Sequence, residues 1–151
     1  MGLQEEVELL RNIPLFAKIE PSKLKLLAFT SERLTYSQDE ILFSQGDAGD
    51  SAYIIIGGEA DIVVNTPGGP LVVATLKQNE IVGEIAILCD VPRTATVRAK
   101  TELTTLRITK DLFFNLIIEF PQIAVEIMRE LAYRLEQTTT KLREAVAQAQ
   151  S

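Results

Sequence analysis

The stretch IVGEIAILCDVPRTATVRA, residues 81–99, places two charged side chains inside a largely apolar run. Glu84 follows a glycine, and Arg93 follows a proline nine residues later. An isolated charge is costly to bury, so such groups need a partner or a ligand. Two interpretations follow: Glu84 and Arg93 pair with each other, or both bind a molecule that enters from solution.

Outward from this stretch, residues 33–109 consist of short β-type runs that are separated by turns rich in Gly, Asp and Pro. Many short strands at near-regular spacing are typical of a barrel or a jelly roll. There are eight such runs, and they have these sequences: RLTYS, EILFSQG, SAYIIIGG, EADIVVN, PLVVATL, NEIVGE, TATVRAK and LTTLRIT.

Helical patterns flank the β region on both sides. Residues 1–32 predict an N-terminal helical segment, with one helix over residues 3–13 and a second that begins at Pro21. Four apolar side chains of the second helix are expected to pack against the main body: Leu24, Leu26, Leu27 and Phe29. Residues 110–148 form a hinge and a long C-terminal helix, because Thr109 is a good N-cap and Pro121 begins a new helix.

The last helix, from Pro121 to about Gln148, would span roughly 40 Å. Its apolar positions alternate at spacings of three and four, which is the seam of a coiled coil. This seam consists of Met128, Leu131, Leu135, Thr138, Leu142 and Ala145. A second copy of the chain is the expected partner, so we expect a homodimer through the C-terminal helix.

The composition limits the possible functions. The 151 residues fit a single domain, 1–151. The chain has no histidine and one cysteine, Cys89, which removes the usual zinc, haem, triad and iron–sulfur chemistry. We therefore expect no metal, no cofactor and no catalytic residues, and we predict that the protein is not an enzyme. Cys89 is expected to be a small buried hydrophobic residue.

The charge and the hydropathy limit the partners in a similar way. The formal net charge is −6, which disfavours a general nucleic-acid surface, because phosphate binding requires clustered Lys and Arg. No apolar run approaches the roughly 20 residues of a membrane-spanning helix, and without a basic region followed by an apolar stretch and a cleavage site we do not expect secretion. We expect a cytoplasmic protein with no nucleic-acid or membrane partner.

The residue types around Glu84 and Arg93 suit a sugar phosphate. Gly83 allows a close approach of the backbone, and the amide groups after it would form a small cradle for an anion. A carboxylate accepts hydrogen bonds from a hydroxyl pair such as that of ribose, and the arginine fork matches two phosphate oxygens. Thr94 adds a hydroxyl donor. Spacing alone leaves the internal Glu84–Arg93 pair equally open.

The stretch VGEIAILCDVPRTATVRA resembles the phosphate-binding cassette of cyclic-nucleotide-binding domains, and we assign residues 82–97 to it. The preceding stretch LFSQGDAGDSAYIIIGGEADIVV and the entry IPLFAKIEPSKLKLLAF resemble the same family, so the likeness covers about residues 10–142. It implies an eight-stranded jelly-roll (double-stranded β-helix) barrel that carries helices at both ends, a mainly β fold that agrees with the eight runs above.

The resemblance also implies roles for individual residues. Glu84 would accept a hydrogen bond from the ribose 2′-hydroxyl, and Arg93 would pair with the cyclic phosphate. The backbone amides of Ile85 and Ala86, together with Thr94, would assist Arg93. The apolar walls of the pocket would be three side chains: Leu76, Val82 and Ile62.

The segment RLEQTTTKL, residues 134–142, is similar to the dimer helix of bacterial catabolite activator proteins, in which a Thr-Ser pair meets the adenine of cyclic AMP. The matching residues here are Thr138 and Thr139. The alternative is that Thr138 is a tolerated polar residue in the seam and that Thr139 is solvated. Those proteins continue into a helix-turn-helix, whereas this chain ends within ten residues, so DNA binding is not implied.

We therefore predict a module that binds a cyclic nucleotide and transmits occupancy through its C-terminal helices to an unknown downstream partner. Thr94 does not decide between the two nucleotides, because a hydroxyl after the cassette arginine occurs with both. Thr138 and Thr139 favour cyclic AMP over cyclic GMP. The alternative is a jelly-roll protein whose degenerate cassette binds nothing and which acts as an interaction or dimerisation module.

Overall fold

A computed structural model describes residues 3–150 of the chain, so residues 1, 2 and 151 of the predicted domain lie outside the described part. All eight predicted strands and the flanking helices form. The helices are α1 (Leu3–Arg11), a short 3₁₀ helix (Pro14–Phe16), α2 (Pro21–Thr30), α3 (Glu84–Cys89), α4 (Lys110–Glu119) and α5 (Pro121–Gln150). The strands are β1 (Glu32–Tyr36), β2 (Ile41–Phe43), β3 (Ser51–Gly57), β4 (Ala60–Thr66), β5 (Gly69–Leu76), β6 (Ile81–Val82), β7 (Thr96–Ala99) and β8 (Leu103–Thr109).

The strands form two antiparallel sheets of four, in the orders β1-β8-β3-β6 and β2-β7-β4-β5. The mainly β fold with flanking helices is confirmed. The expectation of a closed barrel is wrong, because each sheet ends in edge strands and no described ladder joins the two sheets. β6 contains only two residues, so it offers too few backbone groups to close the barrel at its edge.

The core lies between the two sheets. Tyr53 and Ile55 of β3 belong to one buried cluster with Ala60 of β4, Val97 of β7 and Leu103 of β8. The residues of β3 that point the other way are also buried, since the buried stretch runs without a break from Ser51 to Ile56. β3 is therefore covered on both faces, which explains its continuous apolar sequence.

The helices begin and end close to the predicted positions. Thr109 caps α4 as expected, since its Oγ1 accepts a hydrogen bond from the Leu112 amide at 3.4 Å. In α2, Leu24 and Leu27 are buried, but the prediction for Leu26 and Phe29 is wrong, because these side chains are 58% and 77% exposed. A helix buries residues three or four apart, and Leu26 and Phe29 lie on the other face.

The chain divides into two compact units, with the division between Asn115 and Leu116 inside α4. The second unit consists of the end of α4 and the 30-residue helix α5. In α5 the predicted seam residues Met128, Leu135 and Leu142 are each at least 60% exposed. The single domain over residues 1–151 stays a prediction. Within the described range, no helix is long and apolar enough to cross a bilayer.

Gly58, in the tight turn between β3 and β4, gives a prediction about stability. Its φ is +86°, and a Cβ there would overlap the carbonyl oxygen of Glu102. We expect Gly58→Ala to destabilise the fold by more than the roughly 1–2 kcal/mol that the left-handed backbone alone costs. Urea unfolding followed by circular dichroism measures this change.

The matched control is Gly57→Ala, one residue earlier. A Cβ at Gly57 would meet nothing within 4 Å, and its φ lies outside the left-handed region. We expect this variant to stay within about 1 kcal/mol of the wild type. Equal losses for the two variants would contradict the steric role of Gly58.

Candidate ligand-binding site

The backbone of Arg93 is fixed by the loop that precedes β3. The Arg93 amide donates a hydrogen bond to the Asp47 carbonyl at 2.7 Å, and the Arg93 carbonyl accepts one from the Gly46 amide at 2.8 Å. Gly49, farther along this loop, lies so close to α3 that a Cβ there would overlap the Cβ of Ala86. The loop 46–50 therefore holds both the arginine and the helix of the cassette.

The side chain of Arg93 is buried, with 4% of its surface exposed. Its Nη1 donates to the Gly83 carbonyl at 2.9 Å, and its Nη2 donates to the Ser51 carbonyl at 2.8 Å. Its Cζ lies 3.9 Å from the centroid of the Phe43 ring. Its Nε is buried and donates to no acceptor among the described residues. The guanidinium is thus held by two carbonyls and one ring, and it retains a free donor.

Gly83 makes this close approach possible. Its φ is +93°, and a Cβ at this position would lie 2.6 Å from Arg93 Nη1 and 3.0 Å from the Ser51 carbonyl oxygen. A side chain of any size would therefore displace the guanidinium as well as strain the backbone. The sequence predicted that Gly83 lets the backbone approach a ligand, and in the structure Gly83 makes room for the Arg93 guanidinium.

The electrostatics of the site centre on this cation. Burial lowers the pKa of the Arg93 guanidinium below its usual value. Four neighbouring groups oppose that shift: Tyr53, Asp50, Asp47 and Glu84. Since an arginine guanidinium is not deprotonated in proteins, the side chain stays charged at neutral pH. The site therefore contains a permanent buried positive charge.

Glu84 is the first residue of α3 and is 1% exposed. A carboxylate at a helix N-terminus is stabilised by the helix dipole, which offsets part of the cost of burial. The hydrogen bonds of Arg93 described above go to carbonyl oxygens, so the arginine does not depend on Glu84 to be held in place. Glu84 favours the charged form of Arg93, but it is the weakest of the four groups that do so.

The structure also locates the other predicted residues of the cassette. α3 begins at Glu84, so the amides of Ile85 and Ala86 fall in its first turn, where N–H groups have no acceptor within the helix. Thr94 is exposed and directly follows Arg93. Leu76 and Val82 are buried in the cluster between the sheets, and Ile62 packs against it. Phe43 packs against the same cluster. The role of Leu76, Val82 and Ile62 as pocket walls stays a prediction.

Thr138 and Thr139 lie on α5, in the second unit. The Thr138 hydroxyl donates to the Arg134 carbonyl of its own helix at 2.9 Å. Thr138 is exposed and Thr139 is half-buried. The role of these two residues toward a nucleotide base stays a prediction.

Sequence reasoning missed three contributors to the site. Ser51 acts through its backbone carbonyl, which no residue type reveals. Phe43 looked like an ordinary strand residue, and Gly49 like a turn former. Cys89 was predicted to be buried, but it is exposed at the end of α3. For Gly49 the available signal was the segment GDAGD, residues 46–50. Its clustered glycines and acids mark a loop that must fit closely against another element.

A surface groove of about 550 Å³ lies elsewhere, between α1 and α2. Its lining is Gln4, Val7, Glu8, Arg11, Pro21, Ser22 and Lys25. It shares no residue with the cassette, and its charged groups have both signs. The geometry around Arg93, which joins a buried charge to free donors, is the stronger basis for a binding site.

The model of the cyclic nucleotide-binding domain matches residues 33–120, more than half of the chain. The cAMP-dependent protein kinase regulatory subunit of Blastocladiella emersonii is 32% identical over 109 residues, which cover 72% of this chain and 27% of that protein. The CRP-like cAMP-activated global transcriptional regulator of Mycobacterium tuberculosis is 28% identical over 140 residues, or 92% of this chain and 62% of the regulator.

Among solved structures, the catabolite activator protein of Thermus thermophilus is similar, with a TM-score of 0.74 and 27% identity. The alignment covers 86% of this chain and 62% of that protein. The chain thus spans less than two thirds of the length of each of these three relatives. The match over residues 33–120 contains both Glu84 and Arg93. The chain belongs to the cyclic nucleotide-binding domain family.

Proposed function

We propose that this chain is a non-catalytic regulatory module that binds a cyclic nucleotide, with cyclic AMP favoured over cyclic GMP. The observation that carries the proposal is the buried Arg93 guanidinium, whose Nε has no described acceptor. A buried cation with an unused donor is stabilised by an anion that enters the site. A cyclic phosphate, with one negative charge and two free oxygens, matches that cation.

The groups around Arg93 support a phosphate at this position. Arginine presents a planar fork of donors that suits two phosphate oxygens. The first-turn amides of Ile85 and Ala86 and the exposed hydroxyl of Thr94 add neutral donors on the same segment. Neutral donors can bind a singly charged phosphate without adding another cation to an acidic chain.

Glu84 is proposed to accept a hydrogen bond from the ribose 2′-hydroxyl. Its carboxylate is an acceptor only, and it lies at the start of α3, nine residues before Arg93. A ribose that is fused to a cyclic phosphate carries its remaining hydroxyl and its phosphate at a fixed separation. A carboxylate and a guanidinium on one short, well-held segment suit that geometry.

The base is proposed to lie against Leu76, Val82 and Ile62, which pack in or against one apolar cluster. Thr138 and Thr139 are proposed to meet the base from α5. Among the described residues, the Thr138 hydroxyl bonds within its own helix, so it can turn toward a base without loss of a described tertiary contact. The preference for cyclic AMP is supported by the likeness of residues 134–142 and by the names of the two relatives above.

Occupancy is proposed to act on the helices that follow β8. The Lys110 amide donates to the Asp50 carbonyl at 2.9 Å, and the Lys110 Nζ lies 3.7 Å from Asp90 Oδ1 at the end of α3. The start of α4 is thereby attached to two segments that surround Arg93. A shift in either segment would change the angle at which α4 leaves the sheets.

Two further features belong to the proposal. The two sheets are proposed to have jelly-roll connectivity, because strands that are distant in sequence alternate within each sheet. α5 is proposed to form a homodimer with a second copy, because its exposed seam repeats at spacings of three and four. A downstream protein partner would then recognise the position of the helices.

Replacement of Arg93 tests the phosphate site directly. Arg93→Ala is expected to weaken cyclic AMP binding by about 2–5 kcal/mol, since the phosphate would lose its buried charge partner. Isothermal titration calorimetry with cyclic AMP and cyclic GMP side by side measures this loss and the preference of the wild type.

Arg98→Ala is the matched control, because Arg98 lies on β7 and pairs with Asp61 at 3.7 Å with its side chain 37% exposed. It should bind cyclic AMP as the wild type does. Unchanged affinity in Arg93→Ala would contradict the role of Arg93. A wild-type protein whose melting temperature responds to neither nucleotide would instead favour the degenerate cassette.

Gly83→Ala gives an independent test, because the new Cβ would push on Arg93 Nη1 and on the Ser51 carbonyl. We expect cyclic AMP affinity to fall at least about tenfold, which corresponds to roughly 1.4 kcal/mol. Equilibrium binding of a fluorescent cyclic AMP analogue measures the affinity, and urea unfolding measures stability.

The control for Gly83→Ala is Gly69→Ala. Gly69 has a φ of +113°, so alanine there is strained as well, but its Cβ would meet nothing within 4 Å. This variant should lose stability and keep its affinity. Equal affinity losses in the two variants would show that backbone strain alone, and not displacement of Arg93, affects binding.

The proposed dimer is tested by Leu135→Glu, which places a charge in the seam of α5. We expect the variant to be monomeric at concentrations at which the wild type is a dimer, because each dimer would bury two new carboxylates. Sedimentation velocity measures the species. Gln137→Glu adds the same charge outside the seam and should leave the dimer intact. A monomeric wild type, or a dimeric Leu135→Glu variant, would refute the seam.

A further inference from the structure

We propose that Phe43 is a positioning residue for the phosphate-binding arginine, and that its ring fixes the tilt of the Arg93 guanidinium. The inference rests on the function proposed above for Arg93. The family model matches a region that includes Phe43, but the geometry of the ring against the guanidinium is what assigns this role.

The guanidinium is restrained from three directions by three different segments. The Gly83 and Ser51 carbonyls accept hydrogen bonds at its edge, at 2.9 and 2.8 Å. Its Cζ lies over the Phe43 ring, 3.9 Å from the ring centroid. A cation within about 6 Å of an aromatic centroid is attracted by the negative face of the ring.

The two carbonyl bonds do not fix the guanidinium by themselves. Bonds from Nη1 and Nη2 leave the planar group free to tilt about the line that joins these two atoms. Such a tilt would move Nε, the donor without a described acceptor, by the largest distance. A ring in contact with Cζ at 3.9 Å opposes the tilt, so Phe43 keeps Nε at a defined position for a ligand oxygen.

Phe43 is itself held firmly. Its ring lies 5.8 Å from the Tyr53 ring, and Tyr53 is 7% exposed within the cluster between the sheets. The pairing of β2 with β7 has an irregularity between Ile41 and Phe43. Irregularities of this kind redirect a side chain out of the regular alternation of a strand. The aromatic pair and the irregular ladder together aim the ring at Arg93.

The competing explanation is that Phe43 is only a core residue. In that case its size would matter and the charge distribution of its ring would not. Stepwise fluorination separates these two properties, because fluorine withdraws electron density from the ring face and changes the volume little. The series consists of 4-fluoro-, 3,5-difluoro- and 3,4,5-trifluorophenylalanine, introduced at position 43 of the full chain by nonsense suppression.

We expect cyclic AMP affinity to fall progressively along the fluorinated series, by about 3- to 30-fold in total, with the urea midpoint unchanged. Phe43→Leu should lose affinity to a similar extent. Phe43→Tyr should keep the wild-type affinity, because tyrosine has an electron-rich ring. The matched control is the same series at Phe16, a ring that is 1% exposed in the 3₁₀ helix between α1 and α2. Its affinity should not change.

The outcomes separate the two proposals. Unchanged affinity in the trifluorinated protein, together with a wild type that binds cyclic AMP, overturns the role of Phe43 and leaves the binding function intact. An equal loss of affinity in the Phe16 series also overturns it, because the loss would then be unspecific. A wild type that binds neither cyclic AMP nor cyclic GMP overturns the proposed function and this inference with it.

Discussion

The buried positive charge of Arg93 is the constraint on which the rest of the site depends. A cation that is 4% exposed must be compensated locally, since removal of a charge from water costs several kcal/mol. Compensation comes from two backbone carbonyls, an aromatic ring and three nearby carboxylates, those of Asp50, Asp47 and Glu84. Each of these requires a particular neighbour: Gly83 leaves room for Nη1, and the loop 46–50 holds the arginine backbone.

The eight strands were predictable from sequence because short β-type runs and the turn residues between them are local patterns. All eight runs became strands, and the turns fell at the expected glycines and aspartates. The sheet order was not predictable, since β1 pairs with β8 and β2 with β7 through contacts between residues that are far apart in the chain. Closure of the barrel was predicted wrongly for the same reason. Strand number is a local property, whereas closure depends on the tilt, the stagger and the pairing of strands that are distant in the chain.

The site shows the same division between local and distant information. Glu84 and Arg93 were identified because a charge stands out in an apolar run, and Gly83 because glycine marks a close approach. Phe43 and Ser51 lie 50 and 42 residues before Arg93, and a phenylalanine or a serine in a strand has nothing unusual about it. The error at Leu26 and Phe29 has another cause. Both residues are apolar, but the period of the helix places Leu24 and Leu27 on the buried face and Leu26 and Phe29 on the exposed one.

The start of β3 connects the arginine to the helices that follow. Two successive carbonyls there have different donors: Asp50 accepts from the Lys110 amide, and Ser51 accepts from Arg93 Nη2. The ion pair of Lys110 with Asp90 contributes little, because the Asp90 side chain is 93% exposed and water screens the charges. The backbone bond at Asp50 is therefore the stronger attachment of α4. A ligand that changes how Arg93 binds Ser51 would act one peptide unit away from that attachment, so under the proposed function the first turn of α4 would be the first part of the helix to respond.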